Sequence, residues 1–159
     1  MNNPNSTITK IKTPNEVAIC AKIFSESEPW ISLKMASKYF LDLINNPLNE
    51  TYTLKVENEI AGVIILQLQG PIPGYVKSFV IDKKWAGKGY GKVLLKHAEE
   101  RIFKDIPNVF LCVSSSNTGA YTFYQKLGYK KVGEFEDYLI KGESEFLLRK
   151  TRGPMTWIK

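Results

Sequence analysis

The stretch from Asp82 to Leu95, DKKWAGKGYGKVLL, brings together two kinds of residue that bind anions. Gly87, Gly89 and Gly91 alternate with single residues, and lysines stand at 83, 84, 88 and 92. Glycine lets a backbone approach a phosphate with no Cβ in the way. A helix that starts inside such a turn presents free N–H groups and about half a positive charge to whatever lies before it. The chemistry on offer is recognition of a phosphate-bearing ligand. Two familiar loops are excluded by position. A Walker loop ending at Gly91 needs glycine where Ala86 stands, and Ser or Thr where Val93 follows Lys92. A dinucleotide fingerprint starting at Gly87 or Gly89 needs its third glycine at Lys92 or Leu94. What remains is G-x-G-x-G at the mouth of a helix. The competing reading is a solvated turn that binds nothing.

Other chemistry-bearing residues are sparse. Cys20 and Cys112 lie far apart and His97 is the single histidine, so no Cys/His spacing suits zinc and no metal is expected. Cys112, between Leu111 and Val113, reads as a buried strand residue with a raised pKa and little reactivity. His97 falls in the middle of a helix and reads as structural. Carboxylates gather at Glu26 and Glu28 before Trp30, and at Glu134, Glu136 and Asp137 before Tyr138; each alone reads as surface charge. The C-terminal RKTRGPMTWIK is a basic tail, with Lys150, Arg152 and Lys159. Trp157 is its one stacking aromatic and no nucleic-acid module accompanies it, which argues against a nucleic-acid partner.

The 159 residues suit one domain, and 43% hydrophobic with 24% charged residues is ordinary for a globular chain. A net charge of +6 admits an anionic partner without choosing one. The N-terminal MNNPNSTITKIK has no apolar core for a signal peptide, and the first six residues are expected to be flexible. The longest apolar run, Val63 to Leu66, is far short of a membrane span. The reading is a cytoplasmic protein with no membrane partner. Ile8 to Ile11 alternates as a strand. Thr13, Pro14 and Glu16 start a helix over 14–25, and Ser32 opens a second one ended by Asn45-Asn46-Pro47. Strands follow at 51–56, 60–69 and 75–81, then a helix over 89–104 and a strand over 109–113. A helix ending at Gly128 and strands over 129–135 and 145–148 complete the chain. The order β-α-α-β-β-β-α-β-α-β-β implies one mixed sheet with helices on both faces, an α/β (α+β) fold.

At this point the chain resembles the GNAT superfamily of acetyl-CoA-dependent N-acetyltransferases. Their hallmark, [RQ]-x-x-G-x-[GA], is matched by Ala86-Gly87-Lys88-Gly89-Tyr90-Gly91, with Ala86 in place of the usual Arg or Gln. Asn117, Ala120 and FYQKLGY from 123 to 129 resemble a second signature, N-x-x-A-x-x-[FL]-Y-x-K-x-G-[FY]. The likeness spans about residues 60 to 150. It implies a GNAT fold with a mostly antiparallel sheet, and acetyl-CoA as co-substrate. It also implies that Phe79, Val80 and Ile81 offer backbone groups to the pantetheine arm where the strand bulges and splays. Gly87, Lys88, Gly89, Tyr90, Gly91 and Lys92 would cradle the pyrophosphate, and Asn117 would bond the pantetheine. Tyr124 would protonate the departing thiolate; core packing is its plainer role.

Direct transfer needs a neutral amine, and deprotonating an ordinary alkylammonium at pH 7 costs about 3.4 pH units, or ~4.6 kcal/mol. Some family members place a glutamate five residues before the asparagine, where this chain has Cys112. The base is therefore open. Glu26, Glu28, Trp30 and Tyr138 are the expected acceptor-site residues. The acceptor classes implied are a small-molecule amine and a protein N-terminus or lysine, with a homodimer one admissible assembly. A catalytically silent acetyl-CoA sensor and a basic nucleic-acid binder are the alternatives.

Overall fold

The computed structural model describes residues 5–155. Its elements are β1 (Ser6–Lys10), α1 (Pro14–Ser25), α2 (Ser37–Asn45), β2 (Asn49–Val56), β3 (Glu59–Gln67) and β4 (Tyr75–Ile81). A 3-10 turn (Lys83–Trp85), α3 (Tyr90–Phe103), β5 (Asn108–Ser114), α4 (Thr118–Lys126), β6 (Lys130–Glu136) and β7 (Ser144–Thr151) follow. The seven strands form one sheet in the order β1-β2-β3-β4-β5-β7-β6. Every neighbouring pair is antiparallel except β4 and β5.

Local chemistry accounts for several boundaries. Thr13 Oγ1 accepts the Glu16 N–H at 3.2 Å while Glu16 Oε2 accepts the Thr13 N–H at 3.3 Å, a reciprocal cap that starts α1. Glu57 and Asn58 both take positive φ, 51° and 67°, and close the β2–β3 hairpin with the twist that two-residue turns favour. Two expectations are corrected. Ser6, placed in the flexible end, already pairs with Val56 in the sheet, while residues 1–4 and 156–159, with Trp157 and Lys159, lie outside the described residues. The second helix starts at Ser37 and not near Ser32. Ser32 spends its hydroxyl and N–H on Glu28 Oε2, at 2.7 and 3.2 Å, inside a turn that runs from 28 to 34. That turn folds Trp30 edge-on against Phe24 and Phe40, with centroids 5.0 and 5.6 Å apart.

Two hydrophobic layers sandwich the sheet. On one face Leu94, Leu95, Ala98 and Ile102 of α3 pack on Leu54, Ile64, Leu66 and Leu111. On the other, Cys20, Phe24 and Phe40 of α1 and α2 pack on Val63, Ile65 and Val80. β3 thus serves both layers with alternate residues, as a strand buried on both sides must. Between β3 and β4 the chain turns at Gly74, whose N–H donates to Gln67 O and whose carbonyl accepts the Phe110 N–H, each at 3.0 Å. Gly74 has φ 86°, and a Cβ there would collide with the Asn108 carbonyl oxygen. Only glycine allows this approach of β4 to β5. Gly74→Ala is accordingly expected to lower unfolding free energy by more than about 2 kcal/mol in urea titrations. An unchanged midpoint would show that the turn relaxes freely.

Candidate active site

The one parallel junction in the sheet is also where it opens. β4 and β5 share a single register pair, Tyr75 with Phe110, and then part. An extra residue in β4, Lys77, bulges where Leu66 pairs with Val76 and Ile65 with Ser78. The expected splay is present, and the bulge sits two residues before Phe79. Asp82 N–H donates to Ala61 O at 2.9 Å, which fixes the alternation of the β3–β4 ladder. By that alternation the backbone of Val80 points to β3, while the backbone groups of Phe79 and Ile81 face the gap. Val80 is thereby corrected: it contributes a side chain to the site, not a free N–H.

A cleft of about 610 Å³ occupies the opening. Phe79, Val80, Ile81, Gly91, Asn117 and Tyr124 line it, together with Leu111 to Ser114 of β5. Asn117 caps α4, its Oδ1 accepting the Ala120 N–H at 3.1 Å, and its side-chain NH₂ makes no hydrogen bond among the described residues. Tyr124 packs against Phe123 and Tyr129, with centroids 5.3 and 5.7 Å apart. Burial raises its phenol pKa well above the ordinary value, so the group stays protonated at neutral pH. Its hydroxyl has no partner among the described residues.

The glycine turn divides its residues among several surroundings. Gly87 and Gly89 take φ 71° and 87°, and added Cβ atoms there would meet open space, so conformation rather than crowding calls for glycine. Gly89 caps α3 and Gly91 lines the cleft. Tyr90 points into the core, its ring 6.0 Å from Trp85, and can offer only backbone to a ligand. Lys88 Nζ lies 5.2 Å from the Trp85 ring. Lys92 is turned away into a separate hollow of about 300 Å³ with Lys96, Lys150, Arg152 and two glutamates. Ala86 is exposed at the start of the turn.

The opposite end of the cleft is aromatic. Trp30, Leu33 and Met35 come from the α1–α2 connection, Tyr39 from the first turn of α2, and Tyr138 and Leu139 from the β6–β7 connection. Trp30 therefore both closes the core and lines the cleft. Tyr138 is 65% exposed and leans on Phe135 at 5.3 Å. The carboxylates sort unevenly. Glu28 lines the cleft, with Oε2 committed to Ser32. Glu26 does not line it and lies 3.9 Å from Lys22 on the outer face of α1. Glu134 pairs with Lys131 at 3.4 Å, Glu136 is exposed, and Asp137 Oδ1 accepts the Gly142 N–H at 2.6 Å to shape a turn.

Two cleft residues were misplaced or missed in the sequence. Cys112 is half-buried on the face opposite Leu111 and Val113, so it lines the cleft and does not join the core around them. Tyr75 lines the same cleft. Glu145 stands opposite Ser114 in the β5–β7 ladder and takes the Ser114 hydroxyl on Oε1 at 2.5 Å. Burial pushes the Glu145 carboxyl pKa up, against the lowering effect of Ser114, and the Glu143 charge pushes it further. The available signal was alternation: Glu145 shares its strand face with Leu147 and Arg149. Among the described residues no group of three or more His, Cys, Asp or Glu could hold a metal ion, and no helix is long and apolar enough to cross a membrane.

Comparison with known proteins bears on this geometry. The family model for the acetyltransferase (GNAT) family matches residues 17–129. A tRNA uridine(34) acetyltransferase of Methanocaldococcus infernus is 36% identical over 80 residues, 48% of this chain and 15% of that protein. An N-alpha-acetyltransferase of Sulfurisphaera tokodaii is 28% identical over 111 residues, 61% of this chain and 66% of that one. The chain therefore spans less than two thirds of either curated relative. An aminoglycoside 6'-N-acetyltransferase complexed with coenzyme A shares the fold, with TM-score 0.77 and 17% identity over 93% of this chain and 98% of its own.

The two thiols give a direct check on the site's electrostatics. Burial pushes Cys20 up to about 12 and raises Cys112 above its ordinary value. Both are expected to alkylate with iodoacetamide at pH 7 at least about tenfold more slowly than a free cysteine peptide. Their rates should still be climbing past pH 9 in mass-spectrometric mapping. Fast labelling of Cys112 at pH 7 would mean that a thiolate is stabilised in the cleft.

Proposed function

This chain belongs to the acetyltransferase (GNAT) family, and from that premise we propose that it moves an acetyl group from acetyl-CoA to a primary amine held in the same cleft. The observation that carries the reading is the parting of β4 from β5 after Tyr75 and Phe110, which exposes backbone hydrogen-bonding groups along a cleft that ends at the α3 glycine turn. Exposed ladder groups need partners. The amides of a pantetheine arm would supply them at Phe79 and Ile81, and the Asn117 NH₂ would add a donor from β5's side of the gap. Gly87, Lys88, Gly89 and Gly91 would hold the pyrophosphate by backbone N–H groups at the α3 start, with the charge of Lys88 beside them. The coenzyme A bound by the aminoglycoside acetyltransferase of like fold supports the co-substrate assignment.

Chemistry follows from the same groups. A backbone N–H facing the gap polarises the thioester carbonyl and stabilises the oxyanion formed when an amine attacks. Carbon–sulfur cleavage leaves a thiolate, and the Tyr124 phenol is the protonated group on that wall of the cleft. A thiol titrates near 8.5 and a phenol near 10, so the transfer is uphill by at least ~2 kcal/mol in water. Burial of the thiolate in the same apolar surroundings offsets this, because desolvation raises its pKa too. The acceptor enters from the Trp30, Tyr39 and Tyr138 end. The names of similar proteins, for aminoglycoside, tRNA and N-alpha acetylation, support leaving the acceptor class broad. For this chain a small-molecule amine and a protein N-terminus or lysine both suit an open aromatic mouth.

Calorimetry is expected to show acetyl-CoA binding, and an amine panel to show amine-dependent release of free thiol. Tyr124→Phe should lower kcat by about 10²-fold or more, with acetyl-CoA affinity unchanged within threefold. A fully active Phe variant removes the proposed acid; binding without turnover on any amine replaces the enzyme with a sensor. Ala86→Arg, on the exposed start of the turn, should tighten coenzyme A about tenfold through a charge-assisted phosphate contact. No change there would mean that the turn does not meet the pyrophosphate.

A further inference from the structure

Resting on the acetyltransferase reading of the cleft, we infer that Glu145 is the group that receives the acceptor: its free Oε2 binds the substrate's ammonium and then takes its proton. The acceptor class that follows is a primary amine that is cationic in solution.

Glu145 is 7% exposed, yet it lines the cleft. Oε1 is occupied by the Ser114 hydroxyl, whereas Oε2 has no hydrogen-bond partner among the described residues. No Lys or Arg among those residues pairs with the carboxylate. A buried carboxylate with one satisfied oxygen and no cation is costly to keep, and such charges are ordinarily paired. An ammonium entering the cleft would supply the missing partner. The elements around Glu145 supply none permanently. β5 contributes Cys112 and Ser114, and β4 contributes Tyr75 and Lys77. The β6–β7 connection brings Tyr138 and Glu143, the α1–α2 connection brings Glu28, and β6 sets Phe135 opposite. Lys77 is the one cation in that set, and no ion pair joins it to Glu145. Trp30, Tyr39 and Tyr138 offer ring faces that attract a cation on its way in.

The proton balance closes without any further reactant. An incoming R–NH₃⁺ gives one proton to Glu145 Oε2 and becomes a neutral amine. Its lone pair attacks the acetyl carbon, forming the C–N bond. The tetrahedral adduct collapses with loss of the C–S bond, and the second amine proton leaves as the thiolate is protonated. The products are the amide, the free thiol of coenzyme A, and one proton that Glu145 returns to solvent. A carboxyl whose pKa is raised by burial is a better proton acceptor than an ordinary one, and it works in the ionised form. Activity should therefore fall as the pH drops through that raised value.

Glu145→Gln tests this, because glutamine keeps the shape and an acceptor for Ser114. For an amine that the wild type turns over, kcat/KM at pH 7 should drop by about 10²-fold or more, with acetyl-CoA affinity unchanged within threefold. The deficit should shrink about tenfold per pH unit as solvent deprotonates the amine towards pH 10. A folded-state check accompanies it. A carboxyl with a raised pKa loses stability as pH rises, so the Gln variant should melt no lower than wild type at pH 8, with its advantage gone near pH 4. Unchanged kcat/KM on every accepted amine overturns the assignment, as does an equal loss at all pH values. Lost acetyl-CoA affinity in the variant overturns it too. A wild type that binds acetyl-CoA poorly or turns over no amine instead sinks the broader reading of the cleft, and this assignment with it.

Discussion

Backbone groups inside a sheet must be paired, and the structure is organised around the place where that rule is suspended. β4 and β5 are held together at Tyr75 and Phe110 by the Gly74 turn and then separate. Parallel neighbours normally continue a ladder for several residues. Here the ladder stops, and Phe79 and Ile81 keep outward-facing N–H and C=O groups over a cavity. Two antiparallel blocks border that gap. The antiparallel β2–β3–β4 block fixes one bank, and the β5–β7–β6 block fixes the other. α3 spans beneath, its Arg101 forked onto Glu50 of β2 at 2.8 and 2.9 Å. Glu99 in the same helix receives the Tyr129 hydroxyl at 2.9 Å and Lys150 of β7 at 2.8 Å. One helix is thereby tied to both banks.

That frame also places Tyr124. Its ring rests on Tyr129, whose hydroxyl is anchored by Glu99, so the phenol is placed by a chain of packed aromatic and ionic contacts rather than by a bond of its own. Its oxygen stays uncommitted and its proton stays on. A side chain held by its ring with its polar end free is suited to meet a ligand atom.

Much of this arrangement is legible in the residues. The Thr13–Glu16 cap, the Glu57–Asn58 turn and the limits of β4 follow from local preferences that tertiary packing does not oppose. The second helix misleads for a definite reason. Ser32 has the form of a cap, but the edge-on packing of Trp30 against the stacked Phe24 and Phe40 accompanies a turn there, and the Ser32 hydroxyl goes back to Glu28. Cys112 looks like core because its neighbours are apolar; strand alternation puts it on the other face. Glu145 is the harder case. A glutamate at the start of a strand resembles a surface charge until register pairs it with Ser114, and register between strands thirty residues apart is not written in either segment.

The division of the sheet's two faces has an evolutionary consequence. The residues at the aromatic mouth come from the α1–α2 connection, the first turn of α2 and the β6–β7 connection, segments that carry no part of the α3 layer. Insertions and exchanges there would reshape the mouth while the half that ends at the glycine turn is left untouched. On the proposed acetyl transfer, the part that selects the acceptor would then drift independently of the part that holds the co-substrate.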